Sequence, residues 1–346
     1  MTTARHHTVD PTFPRYYSTR TKARRWPLVL RFVKGAIHAN IATAVLLHAI
    51  FAALVCYLDM RKAGHLAIPS SVVPSLSIVV GLLLVFRNST SYDRFWRGCN
   101  HVNTIETSVR NLTRSFLACS CKSDGPPPST AEQADTERTV RILLAMMYAT
   151  KHHLRGEWGA SRMPVVEHRR ASLALAKSEY DDILPSGTED FQDQGLGLLL
   201  QLTIPIEAYI KRGHDRAWFH APQASQLSVQ LNTLVAAYGS LETIHLTPLP
   251  VAYLIHLRQV LALFCCALPF ALVAEMRWWS VLLTAFLAFT LYGVEGIGAQ
   301  LEDPFGYGRS EIKLDAVCED LRVEMGVLLR EWRAGGNMFP EGGVVR

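Results

Sequence analysis

Four histidines, His38, His48, His245 and His256, stand in or beside long apolar runs. Imidazoles at matched depth in a membrane can hold a haem, which is the enzyme-class reading of this chain, and a Soret band would be its signature. Ten residues separate His38 from His48, which sets them about 80° apart around a helix, and nothing in the spacing pairs either with His256. His152 and His153 are adjacent, so on a helix their side chains diverge by about 100° and do not easily share a metal. The seven cysteines (Cys56, Cys99, Cys119, Cys121, Cys265, Cys266 and Cys318) form no C-x-x-C pair and are expected as free thiols. There is no P-loop, no G-x-S-x-G, no H-E-x-x-H and no dinucleotide fingerprint. The chain does not read as an enzyme.

The clearer pattern carries no reactive group. Ile78, Leu82 and Phe86 recur at four-residue steps, which places them along one stripe of a helix, and Arg87 follows at once. Such a stripe is either a packed intramembrane core or, in a ring of identical helices, an apolar constriction that gates permeation by dewetting. The spacing leaves both open. Ser77 and Gly81 beside it allow close helix packing.

The elements that must carry this stripe are membrane spans. In 346 residues, 49% are hydrophobic, 19% are charged and the mean hydropathy is +0.13, which is apolar for a soluble domain. Residues 35–58 and 63–86 contain no Asp, Glu, Lys or Arg, residues 246–274 contain only Arg258, and residues 278–294 contain none. Each run approaches the roughly 20 residues a spanning helix needs. Pro69 and Pro74 put the start of the second helix near Ser70, and the third and fourth form a tight hairpin through the "EMRWW" of residues 275–279.

Arg15, Arg20, Lys22, Arg24, Arg25, Arg31 and Lys34 precede the first span without an intervening acid. Because basic residues resist translocation, both termini and the long middle segment are expected in the cytosol. The acid-poor, Arg-rich arm reads as a juxtamembrane anchor for anionic lipid, although transit peptides share that composition. No secretory signal is visible. The expected layout is a basic arm (1–34), spans one and two (35–86), a helical cytosolic domain (87–247), spans three and four (248–298) and a cytosolic C-terminal segment (299–346). Within the middle block, residues 102–120, 136–154 and 227–244 carry apolar residues at helical spacing, with breaks at residues 123–135 and 184–195. The expected class is an all-α membrane protein. Four spans fill the space between themselves, so a pathway, if there is one, lies on the axis of a ring of identical chains.

The stretches "LLVFRNSTSYDRFW", then "RNL", then "TPLPVAYLIHLRQVLALFCCALPFALV", then "LYGVEGIGAQLEDPFGYGR" resemble the bestrophin family in its microbial branch, over about residues 34–331. That resemblance implies a homopentameric ion channel in which the second helix lines an apolar neck and runs on into the cytosol. The family's neck positions fall on Ile78, Leu82 and Phe86. A second narrowing, before the helix that contains "LNTL", falls near Ala221, Pro222 and Gln223, with Pro222 the representative residue.

The resemblance further implies transport of chloride and other monovalent anions, because animal members pass anions. An aliphatic neck at two positions is similar to bacterial relatives, of which at least one favours cations, so a cation channel of the same build is the alternative. The net charge of +5 and the arginines after the second span (Arg87, Arg94, Arg97, Arg110 and Arg114) favour anions through the local field. The family's calcium clasp maps onto Gln300, Asp303, Gly308 and Glu311. Gly308 stands where an acidic ligand belongs, so the site is expected to be weak or lost, and no cofactor is required. The expected partners are copies of the chain, membrane lipids and small inorganic ions in a plasma membrane, without nucleic acid. A membrane scaffold without conductance remains as the structural alternative.

Overall fold

The computed structural model describes residues 37–61, 66–120, 129–156, 179–180, 183–184, 196–306 and 311–334. The expected basic arm, the tail beyond residue 335 and Gly308 lie outside them. Among the described residues the structure is all helical, with eight α-helices in the order α1 (His38–Arg61), α2 (Val72–Cys119), α3 (Thr130–Arg155), α4 (Leu198–Asp215), α5 (Ala221–Leu246), α6 (Val251–Met276), α7 (Trp279–Glu302) and α8 (Leu314–Arg333). Helices α1, α2, α6 and α7 are each long and apolar enough to cross a membrane. The chain is an integral membrane protein.

The chain forms two compact units. One holds the described residues up to Gly98 and from Ile244 to Ile312, and the other those from Cys99 to Thr243 and from Lys313 onward. In the first, α1 packs mainly on α7, with α6 against both. Close approach of α1 to α7 depends on Gly296, where an added Cβ would lie 2.5 Å from Ile37 Cγ2. Val80 and Leu84 of α2 join Leu257, Leu261, Phe264, Cys265, Leu268 and Ala288 in a buried apolar cluster. The α6–α7 hairpin is as tight as "EMRWW" suggested. Its turn puts Arg277 at φ 47°, a left-handed conformation uncommon for a residue with a side chain.

Helix α2 is 48 residues long, about 72 Å at 1.5 Å per residue. A hydrocarbon core of about 30 Å takes less than half of that. No Gly or Pro interrupts the helix after Gly81 except Gly98, and the "RNSTSYDRFW" of residues 87–96 continues it without a break.

In the second unit α3 is the central helix, buried almost continuously from Thr139 to His152, with α4 and α8 packed on it. It begins with a capping box in which Ser129 Oγ accepts the Glu132 N–H while the Glu132 carboxylate accepts the Ser129 N–H. It ends on Gly156 at φ 64°. The cap starts the helix at Thr130, so the break expected over residues 123–135 is shorter than expected. Phe116, Tyr209 and Phe219 form an aromatic cluster. Gly213 makes room for the Phe219 ring, which a Cβ there would strike.

Candidate permeation site

The two faces of α2 differ sharply. Val80 and Leu84 are buried in the apolar cluster. Ile78, Leu82 and Phe86 point the other way and are 72%, 54% and 58% exposed. All three predicted neck residues therefore share one uncovered stripe of a single chain. Helical geometry continues that stripe through Ser89, Asp93 and Arg97, where Arg97 Nη2 pairs with Asp93 Oδ2 at 2.7 Å.

One residue after Phe86 the pattern reverses. Arg87 is fully buried, and its guanidinium donates to Ser91 Oγ at 2.7 Å and to Glu302 Oε2 at 2.6 Å. Asn88 donates to the Leu84 and Val294 carbonyls. Arg94 donates to the Glu302, Ile244 and Thr247 carbonyls. An added Cβ on Gly298 would sit 3.4 Å from Arg87 Cγ, and one on Gly98 would sit 3.3 Å from the Phe305 ring and from Ile312. These contacts clamp α2, just below the stripe, to the end of α7 and to the "EDPFG" turn. The carbonyls that Arg94 reaches are those freed where α5 ends and the chain turns toward α6.

Three of the five arginines counted after the second span face carboxylates. Arg87 is neutralised by Glu302, Arg97 by Asp93, and Arg110 by Glu106 at 2.8 Å and by a two-pronged pair with Glu324. Hydrogen bonding to Glu324, opposed by burial and helped by the charges of Glu106 and Glu324, raises the Arg110 pKa. Arg94 meets backbone carbonyls instead.

At the predicted cytosolic aperture, Ala221 and Pro222 open α5 and are exposed. Proline suits a first turn, where its missing N–H costs no helical bond. Gln223 donates to Cys119 Sγ at 3.0 Å, tying this corner to the end of α2. Cys318 is buried against Met147, and burial pushes its thiol up to about 12. The cysteines of the described residues are free thiols.

The residues matched to the calcium clasp have other contacts. Gln300 lines a cavity with Arg258 and Glu295, and Asp303 Oδ1 accepts the Phe305 N–H at 3.3 Å. The Glu311 carboxylate lies against Gly306, 2.6 Å from where a Cβ would sit. Among the described residues no three His, Cys, Asp or Glu gather as a metal cage. His38 stacks on Phe289, and His48 stacks on Tyr292 and hydrogen-bonds its hydroxyl at 3.1 Å. Arg258 and Glu295, which the sequence left as separate charges near span ends, pair at 3.0 Å. Helical spacing has no signal for that pairing, which joins two helices 37 positions apart.

The profile of the family described as Bacterial/Fungal Bestrophin protein matches residues 17–327, so the family's reach begins inside the basic arm, earlier than the motifs alone indicated. A voltage-dependent anion channel-forming protein of Nostoc sp. is 34% identical over 306 residues, covering 86% of this chain and 90% of that one. A protein of the same description from Synechocystis sp. is 32% identical over 308 residues, covering 89% and 92%. Among solved structures, a bacterial bestrophin homologue from Klebsiella pneumoniae has the same fold at TM-score 0.69 and 22% identity, with 84% of this chain and 98% of that chain aligned.

Proposed function

The chain belongs to the bacterial and fungal bestrophin family, and from that premise we propose that it is an ion channel passing chloride and other monovalent anions. The pore lies on the axis of a homopentameric ring, with both termini on the cytosolic side of a plasma membrane. The observation that carries the reading is the uncovered apolar stripe Ile78, Leu82 and Phe86 on a helix whose opposite face is packed through Val80, Leu84 and Arg87. In a ring, five copies converge into a neck that excludes water until it widens.

Each residue has a part. Ile78 and Leu82 set the dry length of the neck. Phe86 closes its inner end, and its ring edge carries the partial positive charge that an anion can meet without water. Arg87 and Glu302 do not touch the ion; they fix the angle of α2 just below the neck. Pro222 rims the second, cytosolic narrowing. Gly308, Gln300, Asp303 and Glu311 do not make a working calcium switch, and the channel runs without a cofactor.

Anion preference is supported by the two cyanobacterial relatives described as anion channel-forming proteins. The cation alternative has its own support, since Asp93 lies on the neck stripe and the nearby arginines are largely paired. The deciding experiment is the reversal potential of purified protein in a planar bilayer under a NaCl gradient. A shift toward the chloride equilibrium potential is expected. A shift toward sodium selects the cation channel, and an electrically silent pentamer favours the scaffold. Adding a calcium chelator to the same bilayer leaves the current unchanged.

A further inference from the structure

A cavity of about 410 Å³ opens among α1, α6 and α7, away from the neck stripe. Its polar lining is Asn40, Arg258, Glu295 and Gln300, and Ile41 and Ala44 form an apolar wall. All these residues lie near the same edge of the spans: the first two turns of α1, the second and third turns of α6 and the last turns of α7. That edge is headgroup depth, where a hydrocarbon span meets water.

The charges in this cavity are arranged for a guest. Glu295 is nearly buried and, among the described residues, accepts from Arg258 Nε at 3.0 Å. The Arg258 side chain is 61% exposed, and among the described residues its two Nη groups have no protein partner. Those groups make a fork suited to two oxygens of a phosphate. With one cation and one carboxylate, the lining is electrically neutral, so it suits an occupant that also carries both signs. Tyr292, which also lines the cavity, is held by His48 through its hydroxyl, so that wall is rigid. Farther along α1, Leu47 and Ile50 are exposed and offer acyl chains a continuous apolar path.

We propose that this cavity binds the headgroup of a zwitterionic phospholipid, an ethanolamine phosphodiester, with its phosphate on the Arg258 Nη groups and its ammonium toward Glu295 and the Gln300 and Asn40 amide oxygens. The site does not depend on the channel reading, because it is assayed by bound lipid rather than by current.

The test is native mass spectrometry and lipid extraction of protein purified from membranes containing both phosphatidylethanolamine and phosphatidylglycerol. Wild type is expected to retain phosphatidylethanolamine in excess of its share of the membrane. Arg258→Gln should lower that retention at least tenfold, and Arg258→Lys only part of the way. Because Arg258→Gln strands Glu295 and can unfold the chain, Ala44→Phe serves as the second variant; it fills the cavity without touching the charges and should also expel the lipid. Equal retention by wild type and Ala44→Phe overturns the proposal, as does a preference for phosphatidylglycerol. A thermal shift with soluble phosphoethanolamine, without any retained lipid, overturns the lipid source.

Discussion

Phe86 and Arg87 are neighbours on one helix and have exchanged the environments a soluble protein would give them. The phenyl ring is 58% exposed, and the guanidinium is fully buried. The buried face of α2 is held by Val80 and Leu84 above and by Arg87, Ser91 and Gly98 below. The opposite face, from Ile78 through Phe86, is held by nothing in its own chain. One face thus answers to stability within the protomer and the other to an event outside it. Removing side chains from each face should therefore have separable consequences.

The largest effect belongs to the buried face. Arg87→Ala leaves Glu302 without its partner in a mostly buried setting, and breaking such a pair costs about 3–5 kcal/mol. Thermal unfolding in detergent should show a fall of many degrees. A double replacement, Arg87→Met with Glu302→Leu, should recover most of the loss, since removing both charges avoids stranding either. If the double variant is as unstable as the single, the pair is not what holds the helix.

The exposed face should respond in current instead. Phe86→Ala or Leu82→Ala should raise single-channel conductance several-fold by widening and wetting the neck, with an unfolding midpoint close to wild type. Unchanged conductance in both variants places the gate elsewhere. A large loss of stability would show that the stripe is packed in the assembly, and the contrast between the faces would fail.

The smallest effect lies in the second unit, where each ion pair keeps one partner at the surface, the Asp315 carboxylate at 61% exposed and the Arg333 side chain at 52%. Burial alone would push the Asp315 carboxyl up, but the hydrogen bonds and charges of Arg155 and Lys151 together outweigh it and hold it below its ordinary value. Glu137 is also lowered, first by its hydrogen bond from Arg333 and then by the charge of Arg141. A depressed carboxylate stabilises the fold above its unfolded value, near 3.8 for Asp315 and 4.5 for Glu137, and that contribution disappears as pH falls through the folded value. Asp315→Asn and Glu137→Gln should lower the unfolding midpoint slightly at pH 7 and no longer do so near pH 2. A difference that persists at pH 2 would point to lost packing rather than lost charge.

The sequence by itself determined the four spans, because charge-free runs of that length have few other uses in a folded chain. It also determined the Ile78, Leu82 and Phe86 stripe, since a helix has one period and any three residues four apart share a face, while the run of α2 beyond Phe86 was implied by the family resemblance. The capping box at Ser129 and the glycine stop at Gly156 are local signals too, but the Pro-rich composition before them drew the expected break past the cap to residue 135. The pairing of charges was not local. Arg87 with Glu302, Arg258 with Glu295 and Arg110 with Glu324 join residues far apart in the chain, and no periodicity reports which helices will lie side by side. Counting arginines therefore left out the carboxylates that Arg87, Arg97 and Arg110 face. Only packing decides whether a guanidinium faces an ion or a carboxylate, because the tertiary structure sets the distance over which the charge acts.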